Sequence, residues 1–196
     1  MDITASHTTR ERIINATLEL IKKDGFQNVT VRKIASSANV NIASVNYHFG
    51  SKDAVITEAL NHVTSAMINS FNILEVKNLA PELRLRKFLQ DYSDVIQKYP
   101  DVIKNFISLI MNNCEIEIPY AHFLKDAGFT LIKNTIREIK PDEEESTVRM
   151  RTIQLLSCTG YPILMGNWLQ EISSLDFNSQ EQRYKYMELL LNNVIK

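Results

Sequence analysis

The chain is poor in cysteine, glycine and proline, and each shortage removes a class of explanation. Its two cysteines, Cys114 and Cys158, have no CxxC or Cys/His spacing, so there is no disulfide framework and no zinc finger. They read as free thiols in a reducing cytosol, with a redox pair as the alternative. Five glycines in 196 residues form no phosphate-cradling loop. No His-x-x-x-His pair and no Gly-x-Ser-x-Gly elbow occurs either. His62 and His122 are isolated, and no cofactor is expected. An enzyme reading therefore has no residues to stand on. No apolar run approaches the roughly 20 residues of a membrane span, and the N-terminus lacks a charged-then-apolar leader. A cytoplasmic protein with no membrane partner is expected. The most informative absence is acidic. From Gly25 through Lys52 there is no Asp or Glu, while Arg32, Lys33 and Lys52 supply positive charge, in a chain of net charge -1. Such a window suits an anionic polymer.

What is present around that window is helix punctuation. Ile13, Ile14, Thr17, Leu18 and Ile21 repeat at helical spacing and give one apolar stripe. Gly25 is placed to end this helix in the left-handed conformation, with Lys22 and Lys23 complementing the dipole and Phe26 positioned to pack back on Ile21. Thr30 is a good N-cap for a second helix, and Val29 with Ile34 can form a hydrophobic staple. Ile34, Ala35 and Ala38 would face inward, Asn39 tolerates a positive φ, and Val40 would plug the corner. A third helix then runs from about Ile42 to His48, with Val45 and Phe49 inward and Asn41, Ser44, Asn46, Tyr47 and His48 outside. Helix, tight turn and short polar helix make a helix-turn-helix, whose partner is duplex DNA.

The runs Ile34-Ala35, Ala38-Asn39-Val40 and Val45-Asn46-Tyr47-His48-Phe49-Gly50-Ser51-Lys52-Asp53, with Arg12-Ile13, Ala16, Leu18, Gly25-Phe26 and Thr30-Val31 upstream, resemble the tetracycline-repressor (TetR) family of bacterial transcriptional regulators. The likeness covers roughly the first third of the chain. Asn39 stands where that family usually has glycine, and Asn46 where tyrosine is frequent. The resemblance implies that Tyr47, Thr30 and His48 contact the DNA backbone. From the residues themselves, Lys52 at the first position of a fourth helix is disfavoured by the dipole unless a phosphate sits there. Arg32 can be bidentate to guanine, Asn46 has the amide geometry for adenine, Ile42 and Ala43 suit thymine methyls, and Ser44 can reach a base or a phosphate.

Beyond Lys52 the prolines Pro81, Pro100, Pro119 and Pro141 cut the chain into helical pieces of about 20 residues. The expected fold is all-α, with about nine helices. A three-helix head at 6–66 is joined by a long fourth helix to a helical body at 67–196. That fourth helix is expected from the cap Ser51 to about Leu74, roughly 36 Å. The next helices start near Pro81, Pro100, Pro119 and Pro141, and the last covers about Ser179 to Ile195. Asp142-Glu143-Glu144-Glu145 reads as a solvated helix start favoured by the macrodipole, with a metal site as the sharper alternative. In Ser157-Cys158-Thr159-Gly160-Tyr161-Pro162 the proline should kink the eighth helix, while Gly160 and Gly166 would let another helix approach.

The resemblance further implies a homodimer built from the last two helices. Gly160, Leu164, Gly166, Trp168 and Leu169 suit such an interface, as does a stripe of Tyr184, Met187, Leu191 and Val194; the competing reading is intramolecular core. It also implies an effector cavity among the fifth to eighth helices, with Phe106, Met111, Tyr120, Phe123, Tyr161 and Trp168 as candidate lining residues and a largely apolar small molecule as ligand. The expected function is a ligand-released repressor of a pseudo-palindromic double-stranded DNA operator, with the fourth helix as lever. An activator, a ligand-independent regulator, and an all-helical sensor or carrier whose head no longer binds DNA are the alternatives.

Overall fold

The computed structural model describes residues 8–25, 28–111 and 119–195. Every regular element among them is helical. The chain divides into two compact units, Met1–Val63 and Thr64–Lys196, three residues ahead of the boundary expected from the sequence.

In the first unit α1 spans Thr9–Asp24. It opens with a reciprocal capping box: the Glu11 amide donates to the Thr8 hydroxyl at 3.2 Å, and the Thr8 amide to the Glu11 carboxylate at 2.8 Å. Two orphan amides of the first turn are thereby satisfied. Ile13, Ile14, Leu18 and Ile21 are buried, and the Thr17 hydroxyl, buried among them, donates to the Ile13 carbonyl. Gly25 ends the helix at φ +75° but with ψ 162°, so its positive φ needs glycine although its ψ is extended rather than left-handed helical. Phe26 lies outside the described residues.

α2 spans Val31–Ser37, capped by the Thr30 hydroxyl, which accepts from the Lys33 amide at 3.2 Å. Val29, Ile34, Ala35 and Ala38 are all buried. The turn is made by Asn39 at φ +52°, and the Val40 amide donates back to the Ala35 carbonyl at 2.9 Å. α3 follows at Ile42–Phe49 and turns Val45 into the core.

α4 occupies Lys52–Asn69, its N-terminus capped by the Ser51 hydroxyl, which accepts from the Ala54 amide at 3.1 Å. It starts in the first unit and ends in the second. The expected run to Leu74 is corrected here. The α-helix stops at Asn69, and Ser70–Glu75 tightens into a 3-10 helix. That twist buries Phe71 and Leu74 against α5, Pro81–Lys98. Arg84 of α5, 1% exposed, donates to the Leu74 carbonyl at 2.6 Å and the Leu79 carbonyl at 3.1 Å, and pairs with Glu138. A guanidinium buried without such partners would cost several kcal/mol. Here it ties the end of the 3-10 turn to α5.

α5 is the centre of the second unit, with Leu85, Phe88, Leu89, Tyr92 and Ile96 buried. α6, Pro100–Met111, follows. α7 at Pro119–Phe123 passes through a π turn, Leu124–Gly128, into α8 at Phe129–Ile139. The remaining helices are α9 (Glu145–Leu164), α10 (Gly166–Ser173) and α11 (Gln180–Ile195). α8, α9 and α11 all pack on α5.

Two expectations about α9 change. Asp142, Glu143 and Glu144 precede the helix, and only Glu145 lies in its first turn. The acidic run is also not merely solvated. Glu143 accepts from Nε and Nη2 of Arg151, each at 2.8 Å, and Glu145 pairs with Lys133, Arg137 and Arg149. Pro162 lies inside the helix near its end. Lacking an N–H, it removes one ladder bond, and the chain breaks at Met165 three residues later before restarting as α10.

Candidate nucleic-acid interface and internal cavity

α3 presents a polar outer face on an apolar base. Val45 is buried, while Ile42, Ala43, Asn46, Tyr47 and His48 are exposed, Tyr47 to 86%. The Tyr47 ring meets His48 edge-on, centroids 5.2 Å apart. Arg32 and Thr30 are exposed at the start of α2. Three of the candidate contacts already serve the fold, Thr30 as the cap of α2 and Asn41 with Ser44 at the start of α3. The Asn41 side-chain carbonyl accepts from the Ser44 amide at 2.6 Å and from its hydroxyl at 2.9 Å, which makes Asn41 the N-cap of α3.

The acid-free window is flanked by acids that temper its charge. Lys33 lies 2.7 Å from Asp24, and this hydrogen bond holds the Asp24 carboxyl below its ordinary range. Lys52 stands at the first position of α4, 3.9 Å from the exposed Asp53. Arg32 makes no ion pair among the described residues. One residue the sequence did not single out braces the site. Arg10 lies over the Phe49 ring at 5.3 Å and pairs with Glu58 at 3.0 Å, connecting α1, the end of α3 and α4. Such a cation–π contact contributes about 0.5–1 kcal/mol at an exposed site. Its partners are distant in sequence, so no local pattern announces it.

The second unit holds a half-open cavity of about 480 Å³, within the ~300–1,000 Å³ of small-molecule sites. Of the six candidates, Phe106, Tyr120 and Tyr161 line it. The other three are placed elsewhere. Met111 is 77% exposed at the end of α6, Phe123 packs edge-on against Phe71 at 5.0 Å, and Trp168 lines a neighbouring, more polar cleft with Gln97 and Asn178. Unforeseen walls come from Met67, Tyr92, Ile96 and the α6 positions Ile103, Ile107 and Ile110, with Lys104 as the one cation among the described lining residues. Their helical spacing is that of ordinary core, so sequence periodicity cannot single them out.

The Tyr92 and Tyr120 hydroxyls are hydrogen-bonded to each other across this cavity. Burial pushes Tyr92 up to about 12 and Tyr120 well above its ordinary value, so both remain neutral phenols.

The residues expected at a dimer face separate into two groups. Met187 and Leu191 are 2% and 0% exposed, and the Tyr184 hydroxyl donates to Asp94 of α5 at 2.6 Å. These three make contacts within the chain. The reason is that α11 spends its apolar stripe on α5 and α9. Leu164 and Gly160 belong to the cavity wall, Leu169 is half-buried, and Trp168 and Gly166 face outward, with open space where a Cβ would stand on Gly166. Apolar side chains left uncovered include Met150, Ile153 and Tyr161 on α9, Trp168 and Ile172 on α10, and Leu189 on α11. Cys158 is a half-buried free thiol, and Cys114 lies outside the described residues. His62 and His122 are both exposed. Among the described residues no helix is long and apolar enough to cross a membrane.

Residues 13–59 match the family model for bacterial regulatory proteins, tetR family. Over 91 residues the chain is 34% identical to the HTH-type transcriptional repressor NicS of Pseudomonas putida, an alignment covering 43% of this chain and 41% of that one. The match thus spans about two fifths of the curated relative's length. Among solved structures, the TetR family regulator PfmR of Thermus thermophilus superposes with a TM-score of 0.66 at 18% identity, covering 92% of this chain and 97% of that one. AmtR of Mycobacterium smegmatis gives 0.65 at 16%, covering 100% and 90%. Identities this low establish a shared fold, while the sequence match is confined to the first two fifths or so of the chain. Residues 13–59 are thus similar in sequence to the tetR family of bacterial regulatory proteins, and the chain as a whole shares the fold of TetR family regulators of known structure.

Proposed function

We propose that this protein is a sequence-specific DNA-binding transcriptional regulator that acts as a homodimer, represses from a pseudo-palindromic operator, and is released when an apolar small molecule occupies the cavity. The observation that carries the reading is α3. It is a capped helix with a buried Val45 and an exposed face of Ile42, Ala43, Asn46, Tyr47 and His48 that holds no acid. Amide, aromatic and small apolar groups on a short exposed helix are what base edges in a major groove accept. The sequence relative NicS is a repressor by name, which favours repression over activation.

Dimerisation follows from the number of contacts. One such helix reaches too few base edges, so two heads must sit about one helical turn, roughly 34–36 Å, apart or a multiple of it. The uncovered apolar side chains Met150, Ile153, Tyr161 and Leu189 are the surface on which a second copy would close. Release is a coupling free energy: the ligand must bind more tightly to a form whose heads are mis-spaced for consecutive grooves. α4, which begins in the head and ends beside the cavity at Met67, is the element we assign as lever.

The test is selection of bound duplexes from a random library, followed by gel shift on the enriched sequence and on the protein's own upstream region. Two inverted half-sites, with affinity falling in the presence of a cavity ligand, are expected. A protein that enriches no sequence would overturn the reading.

A further inference from the structure

The hydroxyl pair in the cavity has an unbalanced count of protons. Tyr92 and Tyr120 carry two O–H hydrogens between them and make one mutual hydrogen bond. No other acceptor for either hydroxyl is found among the described residues. Among the described residues one donor is therefore left over, on a pair of buried side chains that face the cavity. A buried donor without an acceptor is unfavourable, and a guest that supplies the acceptor recovers part of that cost, less what its own oxygen loses on leaving water.

The rest of the wall limits what else the guest can carry. It is apolar apart from Ser157, the tyrosines and Lys104. No carboxylate stands among the described lining residues to pair with a buried cation. Lys104 is exposed and already 3.2 Å from Asp101, so it offers little to an anion held at the tyrosines. The same desolvation that keeps both phenols protonated opposes a carboxylate beside them.

We propose that the cavity takes a neutral, largely apolar molecule with a single hydrogen-bond acceptor, such as a carbonyl or ether oxygen, seated on the Tyr92–Tyr120 pair. This rests on the reading of the cavity as the effector site and adds the chemical class of its ligand. Tyr92 from α5 and Tyr120 from α7 would then be joined by the guest as well as by each other.

A matched naphthyl series, measured by calorimetry on the full-length protein, tests the class. 2-Acetylnaphthalene supplies a neutral acceptor, 2-isopropylnaphthalene the same shape without one, 2-naphthoate an anion and 2-naphthylmethylammonium a cation. The acetyl compound is expected to bind tightest, roughly three- to tenfold over the isopropyl compound, the worth of one hydrogen bond. Because one proton is spare, Tyr92→Phe and Tyr120→Phe singly should each keep that preference, since the remaining hydroxyl still donates. The double variant should lose it, binding the acetyl and isopropyl compounds alike. Tightest binding by naphthoate or the ammonium, an acetyl preference that survives the double variant, or no binding by any of the four overturns the proposal. A gel shift with the acetyl compound separates the two readings. If it binds with the expected preference but leaves DNA affinity unchanged, the ligand class stands and the effector role falls.

Discussion

The Asn41 side-chain carbonyl accepts both the amide and the hydroxyl of Ser44, at 2.6 and 2.9 Å. The candidate recognition helix is thus started by a residue that also borders the DNA face. Asn41→Ala removes the cap and is expected to lower head stability by about 0.5–2 kcal/mol, read by urea unfolding. Asn41→Asp keeps a good cap but puts an acid into the acid-free window. It is expected to preserve stability and weaken binding to every duplex. Equal loss of stability in both variants would contradict the separation of roles.

Asn46 is exposed on the outer face of α3, where its amide can pair with an adenine edge. Asn46→Ala is expected to relax the preference at one base pair per half-site, at about 1–3 kcal/mol for that position. Selection from a random-operator library should show the loss. The same motif for wild type and variant would remove Asn46 as a reader.

Lys52 begins α4, where the dipole disfavours a cation unless an anion is near. Lys52→Ala is expected to weaken binding to all sequences. It should also lower the slope of log affinity against log salt by about 0.9 for each phosphate that the lysine no longer neutralises. A slope that does not move would mean that Lys52 touches no phosphate.

Ile153 is 57% exposed on α9 and Leu191 is 0% exposed on α11, so the two report different things. Ile153→Glu is expected to give a folded, helical monomer that has lost operator binding, visible by sedimentation and circular dichroism. Leu191→Ala opens a cavity in the body and is expected to cost about 2–5 kcal/mol of stability. A dimer unchanged by Ile153→Glu would move the partner surface elsewhere.

The Glu145 carboxyl is held down to about 2 from an ordinary 4.5, first by the hydrogen bond from Arg137 and then by that from Lys133. A depressed folded-state value means that this stabilisation is complete above 4.5 and is lost as pH falls towards 2. Glu145→Gln is expected to melt at a lower temperature than wild type near neutrality, and to show a shallower drop across that acid window. Because the carboxylate is exposed, the effect should shrink in high salt. Parallel melting curves for the two proteins at all pH values would exclude it.

Much of the head was legible in the sequence, because its signals act over three or four residues. The caps at Thr30, Asn41 and Ser51 bond the amide three residues ahead, and Asn39 takes its positive φ within one turn. In the body, Pro81, Pro100 and Pro119 each open a helix at their own position, since a missing N–H costs nothing there. What lies across space was not legible. Met187 and Leu191 form an apolar stripe that would look the same facing a partner or facing α5, and only packing chose α5. Tyr92 and Tyr120 are 28 residues apart, and neither carries a mark of the other. The α-helix of α4 ends at Asn69 because Arg84 and the aromatic core hold the following turn in a tighter form. Caps and turns are written locally because their hydrogen bonds close within a few residues. Which apolar face meets which neighbour depends on all the helices together, because hydrophobic burial has no direction of its own.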